Sequence, residues 1–338
     1  MSETFVSNIK YKGEPCIKMS AGKYTCLIAP RIGSNILRLY DNDNNIELVN
    51  FNIKIPMKWL RFPSIICGMP TMFFPNRLDG GTLKTSDNIY HFPVNEEKLN
   101  NYIHGFVHTR PHRLVGYSSD NTTDTVSATT EFVYDENDEF YSYFPVKFTM
   151  RITYTLSKDG LHYELTIINC SDYMLPIGVG CHTSMKAPFV KHGKKQNLRI
   201  QIPVTQRCEL DNRNLCTGKM LELSEHDRKY LTGDAVPVLH DIDNEMYTFD
   251  TLTLDNGRKI HGLRTYDVKS GKSIIYEVDD KYKFFILWNC GGDASFFCPE
   301  PISWMINAPN IDAPASVTGY NEIAPGKSYT TWQHLSSM

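Results

Sequence analysis

The stretch "FFCPEPISW" carries one carboxylate, Glu300, between Pro299 and Pro301 and directly after Phe296-Phe297-Cys298. An acid group in so apolar a setting is paired, protonated or used for proton transfer, because an isolated buried charge costs too much to keep. A structural ion pair competes with the catalytic reading. A second candidate is His182 in "LPIGVGCHTSMKAPF", which by itself reads as a satisfied core histidine. Three more histidines, His104, His108 and His112, recur every four residues in "NNYIHGFVHTRPHR". Gly105, Pro111 and the β-branched Val107 and Thr109 argue against a helix that would align them. On a strand, each step of four spans about 13 Å, whereas metal ligands must converge to about 2 Å from the ion. No Cys or carboxylate lies in the segment to complete a site. One working histidine, the sheltered His104, is the better reading. Finally, "CGMPTMFFPNRLDGGTL" sets Asn76 and Arg77 directly after Phe73-Phe74-Pro75. That Arg is a buried paired cation, a ligand-gripping fork or a turn cap.

The elements around these residues are strands. From Val146 to Leu156, apolar and polar residues alternate, turn at Ser157-Lys158-Asp159-Gly160, and return through Leu161, Tyr163, Leu165 and Ile167. Period two on both sides of an Asp-Gly corner predicts an antiparallel hairpin. The same pattern recurs around Asn256-Gly257 and Ser270-Gly271. Tyr24 to Tyr40, interrupted at Pro30 and Gly33, and Val126 to Tyr134 also read as strands. A helix is expected only where Ser224 caps "SEHDRKYLTG" and Gly233 ends it. Strands fill both halves and no linker or internal repeat divides them. The expected fold is therefore all-β, a large antiparallel β-sandwich forming a single domain over residues 1–338.

Composition limits the partners. The chain has 338 residues, 41% of them apolar, and no run long enough to span a bilayer. Its start lacks a basic residue followed by an apolar run, so no secretory signal is visible. Nine cysteines without a Cys-x-x-Cys pair suit free thiols in the cytoplasm. A net charge of −3 and no basic block argue against nucleic acid and an acidic membrane. The partner expected is a small molecule, with the chain a monomer or homodimer. Dinucleotide and phosphate-loop glycine patterns are missing, and no cofactor or metal is expected.

Taken in order, "FFPNR", "HGF" with His104 placed 27 residues after Arg77, "GCHTSMKAPF", "FCPEP" and "IAPGKSY" resemble the aldose 1-epimerase (galactose mutarotase-like) family. The resemblance runs from about Cys67 to Tyr329, with the earlier strands fitting as an N-terminal sheet. It implies a very large sandwich with a sugar in a cleft on one sheet. It implies Glu300 as general base and His182 as general acid, with His104, Arg77 and Asn76 binding and orienting the sugar. The family's hydroxyl-gripping Asp would be Asp243 or Asp250, with Asp243 preferred. The chain resembles a divergent branch: His112 replaces a frequent Trp, Pro299 a Leu, and Thr183-Ser184-Met185 an aromatic-Asn pair.

Interconverting the α and β anomers of an aldose needs a proton removed from the C1 hydroxyl and another delivered to the ring oxygen. A carboxylate and an imidazolium suit those tasks near neutral pH. A pyranose also needs a flat apolar platform, for which Trp288 or Trp304 qualifies. Two alternatives stand beside this expectation. A hexose-6-phosphate epimerase would draw on Arg61, Arg110 and Arg113; a non-catalytic sugar-binding protein would not need its base. A histidine-metal oxygenase barrel is a third and weaker idea.

Overall fold

A computed structural model describes residues 4–61 and 66–338; residues 1–3 and 62–65 of the expected 1–338 unit lie outside the described residues. Its elements are overwhelmingly strands, arranged in antiparallel sheets. The largest is a nine-stranded sheet whose centre runs Thr125–Tyr134, Phe148–Ser157, Gly160–Asn169, Ser328–Ser337, Ser273–Val278 and Lys259–Asp267. An eight-stranded sheet packs against it and contains Glu245–Phe249, Phe284–Trp288, Phe296–Ile302, Gly180–Cys181 and Thr71–Met72. Five strands between Phe5 and Glu47 form an N-terminal sheet. This is the expected β-sandwich.

The hairpin grammar translates directly. Ser157 pairs with Gly160 across the Lys158-Asp159 turn, and Met150, Ile152, Tyr154 and Leu156 all point into the core. Gly160 takes a positive φ of 129°, a backbone state that L side chains rarely adopt. The strand begins at Phe148 rather than Val146, although Val146 is fully buried. The expected helix spans Glu225–Thr232, with the Ser224 hydroxyl accepting from the Asp227 amide and the Asp227 carboxylate accepting from the Ser224 amide. This reciprocal cap satisfies donors that a helix start otherwise leaves open. The only other α-helices among the described residues are single turns at Met57–Arg61 and Ala315–Thr318.

One hydrophobic cluster extends from Ile17 to Leu335 and fills the space between the two large sheets. A few polar contacts cross it. The hydroxyls of Thr71 and Tyr163 lie 2.8 Å apart and those of Thr183 and Tyr276 lie 2.7 Å apart. Gln333 accepts from Tyr276 and donates to the Cys181 sulfur at 3.3 Å. Buried polar groups demand such partners, and the Thr71–Tyr163 and Cys181–Gln333 contacts each tie a strand of one sheet to a strand of the other. All nine cysteines are free thiols. No helix among the described residues is long and apolar enough to cross a membrane.

Candidate active site

The site is built on strand Phe296–Ile302 and its two neighbours. Register sets Gly180 opposite Ile302 and Met185 opposite Phe297, which places His182 opposite Glu300 and Ser184 opposite Cys298. Side chains directly opposite on antiparallel strands share a face. The His182 Nε2 accordingly lies 3.2 Å from Oε1 of Glu300. Alternation sends the flanking residues the other way: Cys181 and Thr183 meet Gln333 and Tyr276 of the large sheet. His182 thus projects from the outer face of the sheet while its neighbours anchor the strand from below. Trp288, opposite Cys298 on the other adjoining strand, brings its ring within 5.7 Å of the His182 ring at 72°. It is half-buried.

The early motifs reach the same place through a different pairing. Strand Arg77–Asp79 runs antiparallel to Asn101–Ile103, with Arg77 opposite Ile103. The His104 amide then donates to the Asn76 carbonyl at 2.8 Å. Asn76 and His104 both have left-handed backbones, φ 56° and 67°. Gly105 bridges Phe73, and a Cβ there would stand 2.1 Å from the Phe73 oxygen. "FFPNR" and "HGF" are therefore two halves of one tight structure. It presents the His104 ring edge-on to His182, with centroids 5.2 Å apart at 81°.

Electrostatics divide the roles. Burial pushes the Glu300 carboxyl well above the usual carboxylate range, and the nearby Arg77 cation partly offsets this. Burial holds His104 well below the ordinary imidazole range, aided by His182, His108 and Arg77. A neutral His104 is suited to hydrogen bonding a hydroxyl, not to donating a full proton. Its Nδ1 has no hydrogen-bond partner among the described residues.

Arg77 is buried and held firmly. Nε and Nη2 donate to the two oxygens of Glu96, each at 2.8 Å. Nη1 donates to Asn244 Oδ1 at 3.0 Å and to Asn76 Oδ1 at 3.2 Å. Asn244 in turn donates to Asp243 Oδ1 at 2.6 Å. Asp243 is exposed just before strand Glu245–Phe249, at the end where Glu245 faces Leu287 and thus beside Trp288. Asp250 follows the far end of the same strand, its amide bound to the Pro203 carbonyl. The buried Asn289, next to Trp288, accepts from the Ile242 amide at 3.0 Å and donates to the His240 carbonyl at 2.7 Å. It clamps the loop that carries Asp243.

The other sequence candidates separate. His108 lines a cavity of about 470 Å³ together with His104, Arg61 and Arg110. His112 lines a different cavity and stacks on Phe132 at 5.6 Å. Trp304 is not at the site: it lies fully buried between Phe74 and Tyr320, at 5.6 and 5.9 Å. Its indole packs on the bare backbone of Gly178, where an added Cβ would fall 2.0 Å from the ring. Sequence reasoning missed Glu96, Asn244 and Asn289. Nothing local marks them, because their partners are 19, 167 and up to 52 positions away.

A carboxyl and an imidazole facing each other on one face of a sandwich sheet form a pair able to exchange protons with a bound hydroxyl compound. The aldose 1-epimerase family profile matches residues 15–336, and the chain belongs to that family. Its fold is similar to that of a galactose mutarotase-like protein from Clostridium acetobutylicum, with TM-score 0.95 and 28% identity over 99% of this chain and 98% of that one. It is similar also to galactose 1-epimerase from Lactobacillus acidophilus, with TM-score 0.72 and 11% identity over 99% of each chain. The aldose epimerase homologue from C. elegans superposes with TM-score 0.70 at 16% identity, again over 99% of each chain. The last two likenesses concern the fold.

Proposed function

We propose that this chain is a cytoplasmic aldose 1-epimerase that interconverts the α and β anomers of a free aldose without metal or cofactor. The observation that carries the reading is the 3.2 Å approach of His182 to Glu300, beside a platform tryptophan and a fixed guanidinium. Glu300 in its ionised form takes the C1 hydroxyl proton. The O–H pair becomes the second bond of the C1 carbonyl, and the C1–O5 pair leaves with the ring oxygen. Protonated His182 supplies the proton that O5 then needs. Rotation about C1–C2 and the reverse transfers close the ring on its other face. Burial that raises the Glu300 carboxyl makes it a stronger base when ionised, which suits a weakly acidic hydroxyl. Neutral His104 and Arg77, with Asn76 and Asp243, orient the hydroxyls, while Trp288 supports the C–H face of the ring.

A phosphorylated hexose is the second reading, because Arg61 and Arg110 line one cavity with His104. Both cations are already matched: Arg61 pairs with Glu14, and Arg110 pairs with Asp138 at 2.8 Å and Glu139 at 3.0 Å. Arg113 pairs with Glu131 and lines the other cavity, beside His112. A neutral sugar therefore takes precedence. Polarimetry or NMR exchange on a panel of free aldoses and their 6-phosphates tests the proposal. Anomer relaxation no faster than in buffer for every sugar would overturn it and leave a sugar-binding protein.

A further inference from the structure

We infer that Glu96 is a positioning residue for the anomerase reaction, aligning Arg77 and limiting the positive field that Arg77 exerts on Glu300. This inference rests on the proposed function.

The geometry is specific. Glu96 and Arg77 meet fork to fork, both oxygens on Nε and Nη2 at 2.8 Å, the arrangement that fixes a guanidinium plane most firmly. With Nη1 turned to Asn244 and Asn76, at most one N–H of Arg77 remains for substrate. The carboxylate is itself held in place. Asn101 donates to Glu96 Oε2 at 2.9 Å, and the backbones of Glu96 and Asn101 bond reciprocally at 3.0 and 3.2 Å. Asn101 is fully buried and also donates to the Arg213 carbonyl at 3.0 Å. Arg213 returns bonds to the Leu99 and Asn100 carbonyls at 2.9 and 2.8 Å and pairs with Asp79 at 2.7 Å. The Asn95 side chain closes the loop on Ile103, accepting its amide proton at 2.7 Å and donating to its carbonyl at 3.1 Å. Ile103 is the residue opposite Arg77. A single braced loop therefore sets the carboxylate, the guanidinium and the start of the His104 turn.

The electrostatic consequence follows from charge. The Arg77 cation holds the Glu300 carboxyl down against burial, and it also depresses His104. Glu96 neutralises that cation at contact distance, so Glu300 feels a pair rather than a bare guanidinium. The other ionisable groups around the pair are His182 and Cys298 beside Glu300, His108 beside His104, and Asp243 through Asn244. None of these forks onto Arg77. Removing the Glu96 charge while keeping its shape exposes the cation, and the base ionises at lower pH.

The test compares kcat/KM against pH for wild type and Glu96→Gln, with Glu96→Asp alongside, on the best aldose found. Glu96→Gln is expected to move the acid limb down by about half to one pH unit and to raise KM several-fold. Glu96→Asp, which keeps the charge but shortens the reach, is expected to leave the limb in place and raise KM. An acid limb unmoved in Glu96→Gln overturns the inference. Should Glu96→Gln fail to fold, Glu96→Asp decides: a displaced limb or an unchanged KM overturns it, and a fixed limb with raised KM supports it. Absence of anomerase activity in wild type would instead be a failure of the proposed function, visible before any variant is made.

Discussion

Gly105 lies against Phe73 so closely that an added Cβ would stand 2.1 Å from the Phe73 oxygen and 2.3 Å from the Phe74 nitrogen. Its φ of 62° is also unfavourable for a side chain. Gly105→Ala must therefore push apart the two segments that carry Arg77 and His104. A loss of about 1–3 kcal/mol is expected, read from the urea midpoint at constant slope. Wild-type stability would show that the two segments are not locked at this point.

Glu300→Gln keeps the size and planarity of the side chain but cannot accept the C1 proton. Turnover is expected to fall about 10²–10⁴-fold while the sugar dissociation constant changes little. NMR exchange between anomers together with calorimetric titration separates the two quantities. Turnover equal to wild type would remove Glu300 from the chemistry.

The pH profile carries its own sign. In the proposed mechanism Glu300 works ionised, and burial raises the pH at which it ionises, so activity is expected to fall as pH drops through a value above the usual carboxylate range of about 4.3. Arg77→Met removes the cation that counteracts burial, and the acid limb is expected to move to higher pH as KM rises. His104 stays neutral through this range, being held below its ordinary value, so its protonation adds no second limb near neutrality. Kinetics of the two proteins between about pH 4 and 9 check all three statements.

The two tryptophans that the sequence offers as platforms should respond differently. Trp288→Ala is expected to raise KM about tenfold, the loss of a flat apolar contact, with a small effect on stability. Trp304→Ala empties a slot between Phe74 and Tyr320 and is expected to cost about 3–5 kcal/mol of stability. Thermal melts paired with KM measurements distinguish the two. The reverse pattern would exchange their roles.

Much of this was readable before folding. Period-two alternation in 148–157 and 160–169 dictates strands, because only one parity of side chains can be buried on a sheet. The Ser224 cap and Gly233 stop are equally local, and both formed. Glu300 stood out because a charge interrupts an apolar run, His182 gained weight only through the family resemblance, and tertiary structure set them face to face. Trp304 stood beside Trp288 as a possible platform because sequence gives a tryptophan's chemistry and not its depth in the core. Asp243 and Asp250 could not be told apart for a related reason: they flank one five-residue strand, and only its register against Phe284–Trp288 shows which end meets Trp288.

What the sequence determined by itself is the strand-rich character of the chain and the one capped helix, which follow from local pattern, and a short set of candidate side chains, which follows from their chemistry and from the resemblance in motif order. The tertiary structure alone decided which of those residues meet, which histidine stays neutral, and that Glu96 grips Arg77. Those outcomes depend on register, burial and the distances between charges, quantities that exist only once remote strands have paired.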